Sequence, residues 1–224
     1  MKLLLKIISC LLPWPLRRQA LGKWFGFELH PTARIGWAWV FPNKLSMAAG
    51  ARIDHFTVAI HLDAIRMGAR ATIGRGNWIT GFPTDGTGSA RHFGHQPERR
   101  AVLVLGEAAA VTKNHHLDCT NQLTIGNFST VAGYQSQFLT HSIDVMEGRQ
   151  DSAPIHIGDY TFVGTNVVVL GGAVLPAYSV LGAKSLLNKP YTAEWMLYGG
   201  VPAKPVREIS RTAKYFSRSD GFVY

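Results

Sequence analysis

From Ile157 onward an aliphatic residue returns at every sixth position: Ile157, Val163, Val169, Leu175, Leu181 and Leu187. Four residues after each of the first five stands a small or β-branched side chain, namely Thr161, Val167, Ala173, Ser179 and Ser185. Glycine follows the aliphatic at Gly158, Gly164 and Gly182. A period of six matches neither the 3.6 of an amphipathic helix nor the 2 of a half-buried strand. It is the period of a short strand followed by a tight corner, and three such units close a triangular coil. Coils stacked about 4.8 Å apart set each aliphatic on its counterpart in the next coil. A continuous core then forms from repeats none of which folds alone.

The same phase runs upstream in pieces. Leu29, Ile35, Phe41, Met47, Ile53 and Ala59 hold one register; Met67, Ile73 and Ile79 a second; Leu105, Val111 and Leu117 a third; Ile125 and Val131 a fourth. The slips near 60–66 and near 123 predict an inserted residue or two at a corner. Residues 81–100 (GFPTDGTGSARHFGHQPERR) carry four glycines, two prolines and no periodic apolar residue, which predicts a long excursion loop. Loops of that length in a compact domain usually have a function or are disordered. The expected organisation is a helical lead-in over 1–28, an all-β domain of parallel coils over 29–190, and a tail over 191–224. Within the tail, Arg207–Phe216 reads as a short terminal helix.

Met1–Leu12 (MKLLLKIISCLL) reads as a helix with Lys2, Lys6 and Ser9 on one face and Leu4, Leu5, Ile8, Leu11 and Leu12 on the rest. Pro13 and Pro15 end it. Two readings stand. The helix lies on a membrane, helped by Lys2, Lys6, Arg17 and Arg18, or it caps the hydrophobic end of the domain. Lys6 inside the apolar run, and no small-residue cleavage site after it, argue against an export leader.

Hydrophobic residues at 46% with 17% charged exclude a disordered chain. No apolar run approaches the ~18–20 residues of a membrane-spanning helix. Cys10 and Cys119, the two cysteines, are too few for a disulfide framework or a four-thiolate zinc site. They are expected as free thiols in a reducing, cytoplasmic setting. The net charge of +9 comes from scattered residues. It argues against nucleic acid and suits a polyanionic small ligand or an anionic membrane surface.

The run IGDYTFVGTNVVVLGGAVLPAYSVLGAKSLLNKPY from Ile157, with YGGVPAKPVREI from Tyr198, resembles the C-terminal coils of hexapeptide-repeat acyltransferases. These include the maltose, galactoside and nodulation-type O-acetyltransferases and many exopolysaccharide O-acetyltransferases. LLPWPLRRQALGKWFGFELHPTARIG, from Leu11, is similar to the lead-in of the glycan-modifying members. The resemblance runs from Leu29 to Ile209. It implies a left-handed parallel β-helix, acetyl-CoA as co-substrate, a homotrimer with shared clefts, and direct transfer to a sugar hydroxyl of a glycan or lipid-linked saccharide. An acceptor of that kind fits a cytoplasmic protein peripheral to the inner membrane. Two features depart from the family pattern: the 81–100 excursion, and Lys184 where the family often has glycine.

Acyl transfer to a hydroxyl needs a base near the acceptor and a donor near the developing oxyanion. The resemblance puts the base at His141 in FLTHSID, with Asp144 or a backbone carbonyl holding its ring. One coil earlier, in KNHHLDCT, Asn114 and Asp118 look like acceptor-contacting residues, and His116 is the alternative base. A main-chain N–H near Gly133 is a candidate oxyanion donor. For CoA, the resemblance implies main-chain rails around Gly164, Gly172 and Ala183, and Lys189, Lys204 and Arg207 at the nucleotide end. Cys119 beside Asp118 is poorly placed as a nucleophile, because an adjacent carboxylate raises a thiol pKa. Trp37, Trp39, Trp78 and Phe82 suit either sugar stacking or corner packing. Two other classes remain. A γ-carbonic-anhydrase-like zinc hydratase would draw on His55, His61, His92, His95, His115, His116 and His141, but the three-histidine spacing is absent and no metal is expected. The third class is a non-catalytic β-helix scaffold, against which the tail cations argue.

Overall fold

The computed structural model describes residues 1–223. Three sheets form the faces of a prism. The first face has seven strands, from Glu28–Leu29 to Val174–Leu175. The second has nine, starting at Arg34–Ile35 and ending with Met196–Gly200 and Ala203–Glu208. The third has seven, from Trp39–Phe41 to Leu186–Leu187. Successive coils pair in parallel, Ile125 with Ile157 on the first face and Val131 with Val163 on the second.

The six-residue period explains this directly. Ile157, Val163, Val169, Leu175, Leu181 and Leu187 all point inward and are fully buried, as are Thr161, Val167, Ala173 and Ser179. The glycine after the aliphatic sits where coils approach too closely for a side chain. A Cβ on Gly126 would lie 2.6 Å from the Asp159 nitrogen, and one on Gly158 would lie 2.5 Å from the Ala177 nitrogen. One inward position differs from the sequence register. Val40, not Phe41, stacks on Ala59, because the corner after Ile35 is one residue shorter than the corner after Ile53. Phe41 turns under the lead-in, 5.4 Å from the Phe25 ring.

The predicted insertions near 60–66 and 123 both fall at the corner between the third and first faces, where His61 takes φ +61°. Two excursions leave this same corner. The predicted one, following Trp78–Thr80, contains a short helix, α3 (Thr87–Phe93). The other gave no signal in the sequence. After Gln137–Leu139 the chain runs out as an antiparallel hairpin, His141–Asp144 against Arg149–Ser152, and returns at Ile155–Ile157. Between the two excursions lies one coil, that of His116–Asp118.

The tail differs from expectation. Met196–Gly200 extends the second face, with Tyr198 fully buried opposite Leu181, and Ala203–Glu208 folds back on it as an antiparallel strand. Among the described tail residues only Lys214–Ser217 is helical, as a 3-10 turn. Open hydrogen-bonding groups on the last coil recruit residues 203–208 as a strand, which takes Arg207 and Glu208 out of the expected helix. Beyond it the tail lies along a stack of corner aromatics, Phe128, Tyr160, Tyr178 and Trp195, whose rings are 4.9, 5.5 and 4.6 Å apart. Tyr215 donates from its hydroxyl to the Thr161 carbonyl at 2.8 Å, and Arg218 donates to the Phe128 carbonyl.

The lead-in is two helices, α1 (Lys2–Leu11) and α2 (Trp14–Phe25). Helix α2 caps the open end of the core with Ala20 and Leu21, and Phe27 follows it in. Buried Arg17 donates to the carbonyls of Gly36 at 2.6 Å and Ala38 at 2.8 Å, satisfying main-chain groups of the first coil. Capping and outward display are thus divided between the two helices.

Candidate functional site

Asp118 ends a strand of the third face and pairs in register with Leu139 of the next coil. His141 stands two residues beyond that partner, at the root of the hairpin. Coil stacking therefore brings together two side chains 23 residues apart in sequence. The His141 ring meets Asp118 through Nδ1, 2.7 Å from Oδ2. The same oxygen accepts the His141 main-chain N–H at 3.0 Å and stands 3.1 Å from the Thr140 hydroxyl. Oδ1 accepts from Thr120, at 2.7 Å from its hydroxyl and 3.1 Å from its N–H.

Asp118 is only 4% exposed. Burial by itself would push its carboxyl up, but hydrogen bonds from the His141 ring and from Thr120 outweigh this and hold it below the ordinary carboxylate range. His141 moves the other way. Its bond to Asp118 raises the imidazole pKa, against opposition from partial burial and from the Arg99 charge. An anionic carboxylate on Nδ1 fixes the tautomer with the proton on Nδ1. Nε2 keeps its lone pair, on a side chain that is 42% exposed. A buried acid, an oriented imidazole and a free Nε2 are an arrangement that can act as a general base.

The two excursions brace this dyad. Gln96 donates to Asp151 at 2.7 Å and to the Ser152 carbonyl at 2.8 Å, while the Ser152 hydroxyl donates back to Gln96 at 2.6 Å. Ser152 is the strand partner of His141. Arg99, also buried, donates to the carbonyls of Phe82 at 2.5 Å and Thr120 at 2.6 Å and to the Ser89 hydroxyl at 2.7 Å. Its guanidinium lies 4.2 Å from the Phe93 ring centre. The 81–100 segment is thereby clamped to the coil that carries Asp118.

The structure redistributes the residues named from the sequence. Asp118 is turned to His141 and has no oxygen left free for an acceptor; it takes the ring-holding place expected of Asp144. Asp144 instead accepts the N–H groups of Met146 and Glu147, at 3.0 and 3.2 Å, and faces Arg149, so it shapes the hairpin turn. Asn114 occupies a corner at φ +55°. With exposed His116, Trp78, Gln135 and Asn166 it lines an open pocket of about 710 Å³ at the corner between the second and third faces. His116 and Asp118 lie on the same three-residue strand, but no side-chain bond joins His116 to the dyad. His115 is buried, 2.9 Å from the Thr112 hydroxyl and accepting the Ser136 N–H, and burial holds its pKa down at about 4. Cys119 is fully buried, and burial together with Asp118 pushes its thiol up.

The residues named for CoA fall into separate groups. Gly164 stacks under Ala183, with a Cβ on it 2.6 Å from the Ala183 nitrogen. Gly172, at φ +83°, donates its N–H to the Pro154 carbonyl where the hairpin rejoins the coils. Lys189 lies at that same corner, over the Tyr191 ring. Lys204 and Arg207 are exposed on the final strand of the second face. What sequence reasoning missed was the hairpin, the bracing by Gln96 and Arg99, and the partnership of Asp118. Their one local sign is the Asp118–Thr120 spacing, a side chain bonding the N–H two residues on.

No family model matches the chain. Galactoside O-acetyltransferase of Escherichia coli (strain K12) is 26% identical over 150 residues, 67% of this chain and 70% of that protein. Among solved structures, the N-acyltransferase AntD from Bacillus cereus, in complex with dTDP and coenzyme A, matches with a TM-score of 0.57. It is 12% identical and the match covers 89% of this chain and 94% of that one. The polysialic acid O-acetyltransferase OatWY matches with a TM-score of 0.51 at 16% identity, over 84% and 90% of the two chains. The resemblance to hexapeptide-repeat acyltransferases is borne out, and with it the left-handed β-helix.

Proposed function

We propose that this chain is an acetyl-CoA-dependent O-acetyltransferase acting on a sugar hydroxyl of a glycan or lipid-linked saccharide, with His141 as general base and Asp118 as its positioning residue. The observation that carries the reading is the Nδ1–Asp118 bond at 2.7 Å, which leaves Nε2 free on a part-exposed side chain. The kinship with galactoside O-acetyltransferase supports the acyl donor and the acceptor class.

In this mechanism acetyl-CoA, the co-substrate, supplies the acetyl group as a thioester. Nε2 of His141 takes the acceptor hydroxyl proton as the oxygen attacks the thioester carbonyl. The imidazolium formed is steadied by the Asp118 carboxylate, and a backbone N–H meets the developing oxyanion. Collapse breaks the carbon–sulfur bond, and the proton passes from His141 to the departing sulfur. Cys119, with its raised thiol pKa and full burial, takes no covalent part. The His141 side chain is 42% exposed on one protomer, which fits a homotrimer in which a neighbour supplies the other wall. Lys189, Lys204 and Arg207 are then the candidate contacts for the CoA phosphates.

The test is thiol release from acetyl-CoA with a panel of glycosides. Removing a general base lowers turnover by about 10²–10⁴-fold, and His141→Ala is expected in that range with melting temperature retained. Turnover near wild type in His141→Ala overturns the assignment.

A further inference from the structure

Helix α1 is built inside out. Its Ser9 is fully buried and donates to the Lys6 carbonyl at 2.8 Å, and Lys6 lies over the Phe41 ring at 5.1 Å. The opposite side carries Leu3, Leu4, Ile7, Ile8 and Leu11, a set spaced one, four, five and eight residues from the first, which is one face of a helix. These five are 63, 61, 44, 38 and 80% exposed. A helix packed only for a water-soluble surface would turn this face inward. Here the inward place is taken by α2, which already caps the core.

The charges of the lead-in are of one sign. Residues 1–27 hold Lys2, Lys6, Arg17, Arg18 and Lys23 and no Asp or Glu; the first acid is Glu28. Arg17 is spent on the first coil, whereas Lys2 and Lys23 are exposed and Arg18 half-exposed. Trp24, at the end of α2, is exposed as well. An exposed apolar helical face in a lead-in whose charges are all positive is the pattern of a helix lying in the headgroup region of a bilayer. A second copy of the chain would meet it with the same cations and nothing to neutralise them.

We infer that the outward face of α1 docks on an anionic lipid bilayer, with Leu3, Leu4, Ile7, Ile8 and Leu11 inserted and Lys2, Arg18 and Lys23 over the headgroups. This does not depend on the acyl-transfer reading, since α1 contributes nothing to the His141–Asp118 pair.

The experiment is co-sedimentation of the full chain with vesicles of phosphatidylcholine mixed equally with phosphatidylglycerol, and with phosphatidylcholine alone. Wild type is expected to pellet with the anionic vesicles and to bind neutral ones at least tenfold more weakly. A Leu4→Glu/Ile7→Glu variant is expected to need at least tenfold more anionic lipid while keeping the wild-type melting temperature. A Lys2→Gln/Lys23→Gln variant is expected to lose most of the preference for anionic lipid. Failure of wild type to pellet with anionic vesicles, or equal binding by Leu4→Glu/Ile7→Glu, overturns the inference. So does a fall in oligomeric mass on Leu4→Glu/Ile7→Glu, which would make a second copy the occupant.

Discussion

Replacing Asp118 by Asn tests the dyad at its least exposed member. The substitution keeps the shape and removes the charge. Its oxygen can still accept from His141 Nδ1, but the amide nitrogen is then set against the Thr120 hydroxyl and N–H, which stand 2.7 and 3.1 Å from Oδ1. If the amide turns round, it donates to Nδ1 and pushes the ring proton onto Nε2, the nitrogen that must accept. A hydrogen bond to a charged group contributes about 1.5–3 kcal/mol, and 1.36 kcal/mol is tenfold in rate. Asp118→Asn is therefore expected to lower kcat by about 10- to 150-fold. The pH profile separates this from mere structural damage. In the wild type the base works when neutral, and the Asp118 bond raises the His141 pKa. Activity accordingly falls as pH drops through a value above the imidazole's ordinary one. With the carboxylate gone, partial burial and the Arg99 charge remain, and both lower that pKa. The acid limb of kcat/KM must shift to lower pH, and the deficit of the variant must narrow in acid. The assay is initial-rate thiol release from acetyl-CoA over a pH series, with circular dichroism to confirm folding. Turnover within twofold of wild type, or an unmoved acid limb, refutes the argument.

His115 gives a stability prediction independent of catalysis. It is buried neutral with a pKa of about 4, so the unfolded chain binds a proton over a range where the folded chain does not. Stability falls as pH drops from about 6.5 to about 4 and by about 3 kcal/mol in all; thermal melts should show His115→Gln flattening that slope, and an identical slope counts against it. Arg17→Met should loosen the lead-in, because the Gly36 and Ala38 carbonyls lose donors at 2.6 and 2.8 Å. Part of that loss is returned by no longer burying a guanidinium, so the expected net is about 2 kcal/mol. This reads as a fall of roughly 4–8 °C in melting temperature for a chain of this size, and a change under 1 °C would show that α2 holds without the cap.

Much of the architecture was open to sequence reading because a β-helix is nearly one-dimensional. Each coil contacts only its neighbours, so the inward residues must recur at the strand-and-corner period, and they do from Ile157 to Leu187. The glycines at 126 and 158 are legible for the same reason: backbone from the next coil lies where their side chains would be. The excursion at 81–100 showed itself by interrupting the period. The hairpin at 141–152 leaves no mark in the sequence, because Ser142, Asp144 and Arg149–Asp151 offer no apolar alternation and no glycine turn beyond Gly148. Arg207–Phe216 carries a helical local pattern, and nothing local reveals that the last coil leaves an open edge. The separation of Gly164 from Gly172 was hidden too, since six or eight residues along this chain carry it round to another corner.

The order of apolar residues by itself determined the prism, its coil height and the places where it is interrupted, because hydrophobic burial along a repeating backbone admits one solution. What only the tertiary structure decided is which side chains meet across coils. Asp118 reaches His141 because two excursions leave one corner on either side of its coil, and a buried carboxylate must take the donors that stacking brings within 3 Å. The face that α1 turns outward was settled in the same way. Helix α2 and Arg17 had already satisfied the end of the core, and nothing in the spacing of the leucines records that the place was taken.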